Sequence, residues 1–220
     1  MANASTTGFG LRMAMRLGNT PSIEGQSKYK IKSGLGVGIF KGNPASLQDG
    51  SGDQGYLQDA SIDTTDDTGA GGIDYTTATE ALLVGVFNGA FYIDNTTSKP
   101  TFANSVAAST TFGTNPNTGS TDGFGFVNDD PLQEYTVKAD AAVTQAMIGT
   151  VGNMNDFAAT NAKNGQSTST LAVSTVNEKI SRTVLYNNDV ATSCSSVLVL
   201  RVFCNSYDSE HFSFSSRTNI

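Results

Sequence analysis

Few side chains in this chain could do chemistry. The single histidine, His211, sits between Glu210 and Phe212. A serine hydrolase would need it as the general base, with a nucleophile on a G-x-S-x-G turn, and no such turn is present. Asp129 and Asp130 are the closest thing to a carboxylate pair for glycoside hydrolysis. Neighbours on an extended chain point to opposite sides, and Pro131 follows at once. The two acids therefore read as turn formers, with Asp129 capping backbone N–H groups. Asp59, Asp63, Asp66, Asp67 and Asp74 lie in a Thr/Gly-rich stretch, but their spacing does not match an EF-hand loop. They read as a solvated rim.

Gly34, Gly36 and Gly38 form a GxGxG string. It lacks the GxGxxG spacing and a following helix, so it predicts no nucleotide site. Cys194 and Cys204 are the only cysteines. Ten residues of strand would hold them too far apart to bond, and the apolar run Val197 to Phe203 argues against a turn between them. They read as small buried residues. The expectation is a protein that is not an enzyme and needs no cofactor or metal.

The elements that would carry these residues are strands. Of 220 residues, 38% are hydrophobic and 15% charged, both below the usual globular share, and Gly, Ser, Thr and Asn fill the difference. No long stretch keeps a 3.6-residue apolar stripe. The reading is an all-β chain: a β-barrel or β-sandwich body with long polar loops and an extended N-terminal arm. No run of 18 or more apolar residues exists, so no membrane-spanning helix is expected. The first ten residues lack the apolar core of a signal peptide, which points to synthesis and use in the cytoplasm.

Strands are expected at residues 28–41, Leu82 to Tyr92, Phe124 to Val127, Glu134 to Val137, Leu171 to Val173, Thr183 to Tyr186, Val197 to Phe203 and His211 to Phe214. Asn88-Gly89 marks a turn or bulge inside the second of these. Residues 45–80 and 94–123 read as loops, the latter as an insertion into the body. Residues 141–156 are ambiguous between a helical turn and irregular chain.

Charge is laid out unevenly. Residues 1–41 hold six Lys/Arg (Arg12, Arg16, Lys28, Lys30, Lys32, Lys41) and one acid, Glu24. That stretch carries +5 and the rest −12, giving the net −7. A basic head on an acidic body suits a segment that lies on a negative partner. Within it, Phe9, Leu11, Met13, Met15 and Leu17 alternate with Gly10, Arg12, Ala14 and Arg16. Period-two alternation predicts a strand with one apolar face. Such a strand could pair with another chain's sheet edge or be an ordinary first strand of its own domain. The domain reading is an arm over 1–27 and a body over 28–220. The candidate partner-binding residues are Phe9, Leu11, Arg12, Met13, Met15, Arg16 and Leu17. Nucleic acid is not expected as the partner, because the body is acidic and the aromatics are not interleaved with the cations along the chain.

Five stretches, in order, resemble capsid decoration (cement) proteins of tailed bacteriophages. Gly8-Phe9-Gly10-Leu11-Arg12 with Met15-Arg16-Leu17-Gly18 is similar to their N-terminal "GF-x-P…L-x-G" opening. Leu83 to Tyr92 is similar to their "GV…GAxY" strand. Phe126-Val127-Asn128-Asp129-Asp130-Pro131 with Glu134-Tyr135-Thr136-Val137 resembles their "V-x-DDP…F-x-V-Q" segment. Ile148 to Phe157, then Asn164-Gly165-Gln166-Ser167-Thr168 and Leu171, resembles their "G-x-x-A-D…G-x-S-x-x-x-L" stretch. Leu198 to Phe203 with His211-Phe212 matches in kind their "L-R-V" and final aromatic strands. The chain departs from the pattern at Asp156, which comes later than the family's Asp, and in the long 94–123 segment.

The resemblance implies a virion protein outside an icosahedral capsid. It would be assembled in the host cytoplasm and bound to the major capsid protein where capsomers meet. It also implies homo-oligomers, a trimer in preference to a dimer. A receptor-binding or fibre protein is the alternative, although fibres usually show internal repeats and none is found here.

Overall fold

The computed structural model describes residues 8–16, 20–22, 25–48, 53–60, 82–139, 153–155, 160–161, 164–172, 184–186 and 196–200. Every regular element among them is a strand. In chain order these are β1 (Arg12–Arg16), β2 (Thr20–Pro21), β3 (Ser27–Ile31), β4 (Ile39–Phe40), β5 (Pro44–Leu47) and β6 (Leu57–Asp59). Then come β7 (Leu82–Ile93), β8 (Pro100–Ala103), β9 (Ser105–Val106), β10 (Gly123–Asn128) and β11 (Gln133–Lys138). The rest are β12 (Asn153–Asn155), β13 (Thr160–Asn161), β14 (Gln166–Ser167), β15 (Thr170–Ala172), β16 (Val184–Tyr186) and β17 (Ser196–Leu200). The protein is all-β, as its composition predicts.

Two antiparallel sheets dominate. One runs β16-β17-β11-β1-β2. The other runs β3-β10-β7-β5-β6, with β8 also on β7. Strands β3 and β6, at the two ends of that path, pack against each other. The joint is reinforced from outside: the Tyr56 hydroxyl donates to Asp122 at 3.1 Å, Lys30 Nζ lies 3.6 Å from the same carboxylate, and Lys32 pairs with Asp53.

The core of this second sheet is built from Ile31, Leu35, Ile39, Ala45, Leu57, Phe87, Ala90, Val106, Phe112 and Val127, all buried. Leu82 to Tyr92 is a strand, as its apolar run predicts, and it extends to Ile93. Asn88 is the extra residue of a bulge: Phe126 lies opposite Gly89, and Val127 opposite Phe87. A bulge reverses the facing of every residue beyond it. Phe87 and Ala90 are therefore buried, Tyr92 stacks on Phe112 inside (ring centroids 4.6 Å apart), and Phe91 is left outside.

Two segments expected to be loops contribute strands. Residues 94–123 supply β8 and β9, whose Val106 belongs to the core, so this stretch is part of the body's sheets. Residues 45–80 supply β5 and β6. Asp59 was expected on a solvated rim; it is buried on β6 and accepts a hydrogen bond from Asn43 Nδ2. Burial of this carboxylate is tolerable because it is hydrogen-bonded. Asp63, Asp66, Asp67 and Asp74 lie outside the described residues, as do Cys194, Cys204 and His211 to Phe214.

Candidate functional site

The N-terminal strand is held by its own chain. Arg12 lies opposite Thr136 and Met13 opposite Tyr135 on β11, while Met15 lies opposite Pro21 on β2. Of the two readings left open for this segment, residues 12–16 follow the ordinary-strand one. Gly10 donates its N–H to the Ser169 carbonyl at 3.1 Å, and Leu11 to the Gly42 carbonyl at 2.9 Å. Gly10 has φ of +67°, and a Cβ there would lie 2.7 Å from the Gly42 carbonyl oxygen. Only glycine supplies both that dihedral and that clearance.

The turn Asn128-Asp129-Asp130-Pro131 ties this strand down. It connects β10 of one sheet to β11 of the other, and its side chains reach both ways. Asp130 pairs with Arg16 Nε at 2.7 Å. Asp129 accepts from the Tyr29 hydroxyl at 3.0 Å on the opposite side. The two carboxylates engage different partners, Arg16 and Tyr29. Asp130 Oδ1 accepts from the Leu132 N–H at 2.9 Å, so the capping role predicted for Asp129 falls to its neighbour.

Asn128 Nδ2 donates to the Gly25 carbonyl at 2.9 Å, and its Oδ1 accepts from the Tyr135 hydroxyl. Buried Gln133 donates to the Met15 carbonyl at 3.0 Å and accepts from Ser22 Oγ at 2.7 Å. Burial holds the Tyr135 phenol well above its ordinary range, with Asp130 and then Asp129 adding to the effect. Burial, and then the hydrogen bond to Asp129, raises Tyr29.

The seven predicted partner-binding residues are thus spread over different environments. Leu11 is buried at 4% exposure. Phe9 and Met13 are half-buried, and Arg16 is half-buried in its ion pair. Arg12 is exposed, with its guanidinium 4.5 Å above the Phe9 ring, and Met15 is 38% exposed. Leu17 lies outside the described residues. What β1 presents to solvent is one cation and one thioether.

A second surface was not anticipated from the sequence. Strand β10 reads Gly123-Phe124-Gly125-Phe126. Its glycines are buried and its phenylalanines half-buried, the reverse of the usual apolar-inward pattern. A Cβ at Gly125 would collide with Leu57 and Ile31, which fill the space from below. Phe124 lies opposite Phe91, and Phe91 opposite Phe102. The Phe91 and Phe102 rings are 4.7 Å apart and tilted by 50°. Phe102 is 76% exposed.

Strand β3 closes the row, with Lys30 opposite Phe124 and Lys28 opposite Phe126. Lys28 Nζ sits 4.8 Å from the Phe124 ring centroid. Aromatics and cations that are far apart along the chain are therefore side by side on one sheet face. The signal available in the sequence was the Gly-Phe-Gly-Phe alternation, which leaves no side chain for one face.

Among the described residues no three His, Cys, Asp or Glu side chains come together in a way that could hold a metal. Comparison with known proteins finds no matching family model, no matching curated protein and no matching solved structure.

Proposed function

We propose that this chain is a non-catalytic structural protein of a bacteriophage particle, bound to the outside of the capsid and stabilising the shell. What supports the reading is where the five family-like stretches lie. The Gly8 to Arg16 stretch runs along β11, which belongs to the third. It contacts Ser169, beside the fourth, and joins the second through Gly42, whose N–H donates to the Phe87 carbonyl at 2.8 Å. The fifth supplies β17, which pairs with β11. Stretches spread along most of the chain meet at one seam, as a shared fold requires.

In this reading the leader is a fixed strand that presents Arg12 and Met15 to the capsid protein, not a free strap. Cation and apolar contact together suit an acidic protein surface. Several copies acting at once would multiply a weak single contact. The test is co-sedimentation of the purified chain with DNA-free capsids of its own virus. Binding that protects the shell against heat, and that is weakened at least tenfold by Arg12→Glu, is the expected result. A chain that stays in the supernatant at saturating shell concentration would overturn the proposal.

A further inference from the structure

We propose that the outer face of the β3-β10-β7-β8 sheet is a self-association surface, on which a second copy of this chain packs about a two-fold axis. The two-fold dimer departs from the trimer that the family resemblance favours, and it stands whether or not the chain binds a capsid. A row of aromatic rings, half-buried at Phe91 and Phe124 and bare at Phe102, on an otherwise polar surface marks an interaction site. Here Phe102, Phe91 and Phe124 run in register across three strands, and Phe102 is the most exposed large apolar side chain described. The bulge at Asn88 turns Phe91 outward, and glycines leave the inner face of β10 free for Leu57 and Ile31.

Charge selects the occupant. A nucleic-acid strand would need unneutralised cations along its backbone. Lys30 lies 3.6 Å from Asp122 and Lys32 pairs with Asp53, which leaves Lys28 as the cation of this face without an ion pair among the described residues, too few to track a backbone of phosphates. The face is also polar in sequence across the sheet: lysines at the β3 end, the bare Phe102 ring at the β8 end. A two-fold axis parallel to the strands brings the lysines of one copy over Phe102 of the other. The Lys28 ammonium over Phe124 shows the same pairing within one chain. Three inter-strand steps separate the two ends by about 14 Å. The two lysine clusters of a dimer are thus farther apart than the Debye length of about 8 Å at physiological salt and do not repel. An isologous contact of this kind closes on itself.

The experiment is light scattering behind gel filtration on the full chain, from micromolar to 100-fold higher concentration. A dimer is expected, and Phe102→Asp raises its dissociation constant at least about 30-fold, as loss of an aromatic anchor does. Phe102→Gln provides a second reading should the carboxylate disturb folding, and circular dichroism checks that both variants keep the strand signal. Lys28→Ala weakens the dimer by a few-fold. A wild-type monomer throughout the range would overturn the inference. So would an oligomer whose mass is indifferent to Phe102. So would micromolar binding of an oligothymidylate by a monomer that loses it on Phe102→Gln. Capsid co-sedimentation is read separately, so a dimer that ignores shells would end the proposed function and leave this surface standing.

Discussion

Strands β3 and β8 flank the same central pair, β10 and β7, yet their surfaces are opposite in kind. On β3, Lys28 and Lys30 face solvent while Tyr29 and Ile31 turn inward, and Lys32 follows. On β8, Pro100-Thr101-Phe102-Ala103 carries no charge and exposes its aromatic ring. The lysines of β3 and the packing of β6 against it close that flank to other chains. One flank is guarded and the other is not. The difference teaches that exposure of Phe102 is no general laxity of this surface, because the same sheet defends its other side.

The comparison breaks first from below. The outward aromatics depend on inward glycines, so filling one should do more damage than emptying the outside. We expect Gly125→Val to lower stability by about 2–3 kcal/mol, because it overpacks the space held by Leu57 and Ile31. For a chain of this size that is a fall of roughly 5–10 °C in melting temperature by calorimetry. A melting point within a degree of wild type would show that the inner face has slack, and the account of why the phenylalanines face out would fail.

The guarded flank is also tethered. Tyr29 reaches from β3 to Asp129, whereas no described side chain anchors β8 to a carboxylate in this way. Removing the hydroxyl in Tyr29→Phe should cost about 1 kcal/mol, the usual net worth of such a bond. The same contact sets a pH limit. The Tyr29 phenol is raised above its ordinary value of 10.0 by burial, its hydrogen bond to Asp129 and that carboxylate's charge. A group raised on folding contributes stability that is complete below the unfolded value and is lost as pH climbs through the folded one. Urea melts of wild type should therefore weaken above pH 10, and Tyr29→Phe should show a shallower decline there. Parallel declines would show that Tyr29 stays out of the alkaline transition.

Much of the fold could be read from the residues. The apolar run of β7, the alternation in β3 and the turn at Asn128 to Pro131 each carry local chemistry that tertiary context did not override. Other features were hidden for identifiable reasons. Polar segments 45–80 and 94–123 disguise strands whose burial depends on partners distant in sequence, such as β9 on β4. Asp59 looked like one of five surface acids because nothing local announces Asn43 as its partner. The alternation in residues 9–17 could belong to an arm or to a first strand, and only pairing with β11, more than a hundred residues away, distinguishes them. The aromatic row was least legible. Its members come from three strands, and its facing is set by a one-residue bulge at Asn88.

The mildest change in stability should give the sharpest view of the guarded flank. Lys28→Val with Lys30→Val removes two solvent-facing cations and extends the apolar row to the sheet's other side. The Lys30 contact is a surface ion pair with the lysine 62% exposed, and such pairs contribute little. We expect a change within about 0.5 kcal/mol in stability, since β-branched residues also suit a strand. Behaviour in concentrated solution should change far more. In the two-fold contact each copy's lysines lie over the other copy's Phe102, so removing both cations takes away those cation–ring pairings. Light scattering on a double variant whose dimer dissociates about tenfold more readily than wild type, and more readily than that of Lys28→Ala, is the expected result. A double variant that dimerises as tightly as wild type would mean the lysines contribute nothing to the contact, and the contrast between the two flanks would then be one of composition without consequence.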